Sequence, residues 1–205
     1  NLEVESFYEI ETTCKRAAKA SGFSWGIAEE IGKIIRSLEI MGLPGVKTFY
    51  RYLDDVKDGT LSKPTKILSK NIDNNKMYCP IESSVAILDD CKNLFKNNDV
   101  IDFNQMAHPL LLIPMLNRAS NIIGKKISIS FDNIEIILNY NGSLVINSKG
   151  PFPNQTNKVS IQSMSTEPTY SKKEYEDLYQ LSLETFVEES EGKLSGAGAG
   201  LTDND

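Results

Sequence analysis

An α+β fold is predicted for this chain of 205 residues, with a helical N-terminal half followed by an antiparallel β-meander of three to four strands packed by a C-terminal helix. Three observations predict it. Apolar residues recur three and four positions apart through the first 124 residues, from Ile127 they alternate instead, and the Asn141-Gly142 hairpin signal falls between two alternating runs. Helices and strands gathered into separate stretches in this way mark α+β rather than alternating α/β.

In the first half, Ser6 and Glu9 form a capping box, which satisfies free amides at a helix start. Phe7, Ile10, Cys14 and Ala17 then share a face until Gly22 stops the run. Ser24 caps a second helix with the stripe Ile27, Ile31, Ile34, Ile35 and Leu38, ending at Gly42. Pro44 opens a third, carrying Val46, Phe49, Tyr50, Leu53 and Val56 to Gly59. Residues 60–76 are polar and read as a long excursion. Pro80 starts a helix through Ile81, Val85, Leu88, Cys91 and Phe95, and polar residues 96–99 break it. Another begins near Pro109 and runs to Gly124, with Pro114 in its first turn or kinking it.

The period then changes. Ile127, Ile129 and Phe131 alternate, Asp132-Asn133 turns, and Ile134, Ile136, Leu138 and Tyr140 alternate again. Leu144 and Ile146 lie on a third strand, and Val159 and Ile161 on a fourth. Ser171 with Glu174 is a second capping box, opening a long helix with Tyr175, Leu178, Tyr179, Ser182, Leu183 and Phe186 on one face, the expected cover for the sheet. These elements divide the chain into a helical lobe at 1–124, a meander with its covering helix at 125–193 and a Gly/Ala-rich tail at 194–205, all within one structural domain.

With 22 basic against 28 acidic residues the formal net charge is −6, which argues against a nucleic-acid surface built on lysine and arginine. Cys14, Cys79 and Cys91 form no CxxC pair and there is one histidine, so no metal set is expected, and reduced thiols in a cytoplasm are the expected state. No charged start followed by an apolar run opens the chain. The apolar run Leu110–Leu116 contains Pro114 and falls far short of the ~20 residues that span a bilayer, so no membrane is expected as a partner. No motif indicates a cofactor.

Several segments together resemble a known family: Phe23 to Glu30 (FSWGIAEE) after the first helix, Gly42-Leu43-Pro44-Gly45 after the second, Cys79-Pro80-Ile81, the run from Pro109 to Pro114, and the terminal Gly196 to Asp205 (GAGAGLTDND). With these the chain is similar to a bacterial family defined only as a domain of unknown function, over essentially its whole length. The resemblance implies a soluble bacterial protein and carries no catalytic residues with it.

The tail is the most distinctive candidate site. Gly196, Gly198 and Gly200 can offer successive backbone amides to an anion, with Thr202 and Asp203 beside them as ligand-binding candidates, while Asp203, Asp205 and the terminal carboxylate can supply hard oxygen ligands to Mg²⁺ or Ca²⁺. No Gly-Lys-Ser/Thr follows, so the run is not a P-loop; a solvated terminus is the plain alternative. Trp25 and Glu29 share a helix face, where the indole can desolvate the carboxylate, with Glu30 beside it. Against this stands a first turn whose acids complement the dipole, with Glu29 paired to Lys33. His108, the only histidine, is the one side chain with an ordinary pKa near neutrality, and it stands at a helix entrance where histidines are usually structural. Asp89-Asp90 read as a solvated face, and Cys79 as an inert thiol.

Two functional readings follow. The leading one is a non-catalytic binding or accessory protein whose tail docks on its own body or on a partner; a small molecule, a protein and a second copy in a homo-oligomer all fit it. The alternative is an enzyme on a small polar metabolite, using His108 with Glu29 or Glu30 for proton transfer, the tail closing the site.

Overall fold

A computed structural model of the protein describes residues 5–64, 76–140, 144–148, 150–165 and 167–200, with backbone alone at 190 and 193–200. The chain divides into two compact units, Asn1–Ser165 and Thr166–Asp205.

In the first unit, α1 (Phe7–Ala20), α2 (Trp25–Ile40) and α3 (Gly45–Lys57) follow one another through short turns. The predicted caps form: Ser6 Oγ accepts from the Glu9 amide at 3.1 Å and Ser24 Oγ from the Ile27 amide at 3.3 Å. Ile31, Ile34, Ile35 and Leu38 of α2 are buried as their spacing predicts. The stripe of α3 is rotated from expectation, with Phe49 and Tyr52 buried and Val46 and Tyr50 exposed. The helix after Pro80 breaks at Asp90 into α4 (Pro80–Asp89) and a short α5 (Cys91–Leu94). Past His108 a 3₁₀ turn, Pro109–Leu112, runs into α6 (Ile113–Ile123), which holds Pro114 in its first turn and stops at Gly124 with φ 66°.

Five antiparallel strands follow the order β1 (Val100–Phe103), β7 (Val159–Met164), β3 (Lys126–Phe131), β4 (Ile134–Leu138), β5 (Leu144–Ser148). Only β3–β4–β5 is a meander. The fourth expected strand, β7, returns to the other side of β3, and β1, unforeseen in the sequence, pairs outside it. Register sets Ile101 opposite Ile161, Ile161 opposite Ile129, and Ile129 opposite Ile136, so one buried row crosses the sheet. Alternation is what puts that row on one face. The helix that packs on β3 and β4 is α6. The Asn141-Gly142 turn lies outside the described residues; Leu138 pairs with Leu144 across it. A separate two-stranded ribbon joins β2 (Met106–Ala107) to β6 (Gln155–Thr156).

The second unit contains α7 (Lys172–Gly200). Its capping box closes on both sides, Glu174 Oε2 accepting from the Ser171 amide at 2.6 Å and Ser171 Oγ from the Glu174 amide at 3.1 Å. Those bonds hold the Glu174 carboxyl below its usual pKa. On α7 the side chains of Tyr175, Leu178, Tyr179 and Phe186 are exposed. The backbone of Gly196–Gly200 continues this helix rather than forming an extended tail, because a helix supplies its own amide bonds once it is nucleated.

Candidate functional site

The ribbon between β2 and β6 builds the site. Met106 and Ala107 pair with Thr156 and Gln155, so the residue after one strand meets the residue before the other, and the His108 amide donates to the Asn154 carbonyl at 2.8 Å. His108 takes the left-handed conformation, φ 43°, before Pro109. Its side chain is buried at 3% exposure, and Nε2 bonds Asp55 Oδ2 of α3 at 2.5 Å. The Tyr52 ring meets the imidazole edge to face, with centroids 6.2 Å apart. Pairing Nε2 to Asp55 leaves Nδ1 as the ring nitrogen with no hydrogen-bond partner among the described residues.

A cleft of about 260 Å³ opens beside this histidine, walled by Pro44, Lys47, Thr48 and Arg51 of the start of α3 and by residues 150–154. Arg51 Nη1 donates to Asn154 Oδ1 at 3.2 Å and the Thr48 hydroxyl to the Pro44 carbonyl at 2.6 Å, which fixes both side chains. Lys47 and Arg51 enter no ion pair among the described residues. The cleft thus carries positive charge at the positive end of a helix dipole, in a chain whose total charge is −6.

Behind the histidine, the Tyr52 hydroxyl and Cys79 Sγ share a buried hydrogen bond of 2.8 Å. Burial pushes the Tyr52 pKa well above the ordinary tyrosine value, with the neighbouring Cys79 adding to it. Cys79 is also raised by burial, against the amides of Ile81 and Glu82 and the Tyr52 hydrogen bond, which pull it down. This is the environment of an inert thiol.

The other sequence candidates lie elsewhere. Trp25 is 56% exposed, with the ammonium groups of Lys15 and Lys19 at 5.8 and 5.4 Å from its ring. Glu29 pairs with Lys15 of α1 at 3.1 Å rather than with Lys33. Glu30 binds Arg118 at 2.6 Å on the wall of a different groove of about 510 Å³, which shares no residue with the histidine cleft. The structure therefore does not bring His108 together with either glutamate. Asp89 and Asp90 are exposed. Gly196, Gly198 and Gly200 belong to α7, and Thr202 and Asp203 lie outside the described residues. Sequence reading missed Asp55, Arg51 and Asn154. Thr48, Arg51, Tyr52 and Asp55 do recur at helical spacing, but their partners His108 and Asn154 are 53 and 103 positions away from Asp55 and Arg51.

Among the described residues no group of three or more His, Cys, Asp or Glu could hold a metal ion, and no helix is long and apolar enough to cross a membrane. Residues 5–79, which contain α1 to α3, match the model of a family described as Protein of unknown function (DUF3726). No curated protein and no solved structure matches the chain.

Proposed function

We propose that this is a binding protein whose first unit takes a small anionic ligand, a carboxylate or a phosphate ester, in the cleft between the start of α3 and residues 150–154. One observation carries the reading: Lys47 and Arg51, with no acidic partner among the described residues, converge with the oriented imidazole of His108 on a cleft of metabolite size. A guanidinium fork matches carboxylate and phosphate geometry in two parallel bonds. A non-glycine residue held in the left-handed region supports the reading further, since such strain collects at ligand sites.

The test is a thermal-shift screen of small carboxylates, phosphate esters and inorganic phosphate on the intact protein, followed by calorimetry of each hit. Ligand at a hundred times its Kd stabilises the native state by about 2.7 kcal/mol. Arg51→Met is expected to abolish the shift and Lys47→Met to weaken binding by about tenfold. A ligand whose affinity ignores Arg51→Met binds elsewhere, and the cleft reading falls.

The Asp55–His108 pair favours a second reading, in which the bound ligand is turned over with His108 moving a proton and Asp55 orienting it. On the binding reading His108→Gln leaves affinity within a few-fold. On the enzymatic one it leaves binding intact and lowers turnover by roughly a hundredfold or more.

A further inference from the structure

The anion cleft has an apolar side as well as a charged one. Lys47 and Arg51 of α3 bring the positive charge, whereas Pro151, Phe152 and Pro153 bring no polar side chain and, since proline lacks one, a single amide proton among them. Phe152 is partly buried and packs against the core, so its ring is held in place. The two oxygens of the adjacent Asn154 are already engaged, the carbonyl by the His108 amide at 2.8 Å and Oδ1 by Arg51 at 3.2 Å. A sugar laid against such a surface leaves hydroxyls short of partners, which costs affinity. An aromatic ring asks for no partners there.

We propose that the ligand is an aryl anion: a single aromatic ring on the surface of residues 151–153, carrying a carboxylate or phosphate that Arg51 and Lys47 hold. The proposal rests on the anion reading of this cleft and adds what the anion is attached to. Aromatic pairs gain beyond the area they bury, and prolyl rings pack on aromatic faces as they do where proline-rich segments dock in aromatic grooves. Size agrees, since a cleft of about 260 Å³ falls just below the roughly 300–1,000 Å³ of drug-sized ligand sites and suits one ring with its head group. The Arg51–Asn154 bond ties the helix that carries the charge to the segment that carries the ring surface, so both halves of the ligand meet a preorganised site.

Calorimetry of the full chain with benzoate, phenyl phosphate, acetate and inorganic phosphate tests it. Benzoate is expected to bind about tenfold or more tighter than acetate, and phenyl phosphate than inorganic phosphate, because each ring buries apolar area that its small counterpart lacks. The two aryl probes compared with each other decide which head group the site prefers. Arg51→Met abolishes the binding of all four. Phe152→Leu narrows the advantage of the ring about threefold or more and leaves acetate and inorganic phosphate unchanged. Pro151→Ser, at an exposed position, narrows it in the same direction. Small anions held in an Arg51-dependent way with no gain from the ring overturn the proposal and leave the anion reading standing. Aryl binding that survives Arg51→Met, or no binding by any of the four probes, removes the anion reading and the proposal with it. A ring advantage that both Phe152→Leu and Pro151→Ser leave intact also overturns the proposal.

Discussion

His108 combines three constraints on one residue: a left-handed backbone, a buried ring and an ion-pair partner on another helix. Asparagine tolerates positive φ and a β-branched residue does not. His108→Val is therefore expected to lower the unfolding free energy by about 1–3 kcal/mol more than His108→Asn, a difference measurable by urea titration. Titration of buried acids supplies a second prediction at this scale. Burial, with a contribution from Glu39, lifts Cys14 from 9.0 to about 11, and burial lifts Tyr52 above its ordinary 10.0. Both groups keep their protons to higher pH in the folded chain than in the unfolded one, so their contribution is complete below pH 9 and is lost as pH rises. The Tm is expected to fall from about pH 9 upward, through pH 11 for Cys14, and Cys14→Val is expected to make the decline shallower without removing it, because burial raises Cys79 and Cys91 as well. Calorimetry at stepped pH checks this. Of these residues the sequence marked His108 as a candidate and Cys14 as a core position, while the Asp55 pairing was invisible, because no local pattern records a contact made across 53 positions.

At the scale of elements, two glycines decide how the helices meet. A Cβ on Gly32 would lie 2.7 Å from the Glu11 carbonyl oxygen of α1, and one on Gly45 would lie 2.8 Å from the Ile35 carbonyl oxygen of α2. Alanine favours an isolated helix by up to ~1 kcal/mol, yet Gly32→Ala is expected to cost about 1–3 kcal/mol because backbone cannot step aside. Gly26→Ala in the same helix meets nothing within 4 Å and is expected to be neutral or stabilising. Chemical denaturation of the two variants side by side checks the contrast. The caps at Ser6, Ser24 and Ser171 and the alternation of β3 and β4 were legible because they are local. The α3 stripe is rotated from its expected face, because Tyr52 is held inside by Phe23 and Cys79, neither of which its own helical period reveals.

For the whole molecule, the hydrophobic core among the described residues runs from Cys14 to Ile161, within the first unit. A chain ending at Ser165 is accordingly expected to unfold in one cooperative transition and to keep whatever ligand the cleft binds. Scanning calorimetry of the truncated protein, with and without that ligand, examines both halves of the expectation. Failure to fold would place part of the stability in residues 166–205.

By itself the sequence determined the α+β class, the places where helices start and stop, and the residues turned inward on most elements. Caps, glycine stops and periodicity act over a single turn or a strand pair, so they are written within a few positions of one another. The tertiary structure alone decided that β7 returns beside β3, that β1 joins the edge, and that the sheet is buried under α6. It decided too that His108 meets Asp55 and the start of α3 instead of Glu29 or Glu30. Those outcomes depend on contacts between distant segments, whose balance of closure entropy against burial is settled only when the whole chain packs.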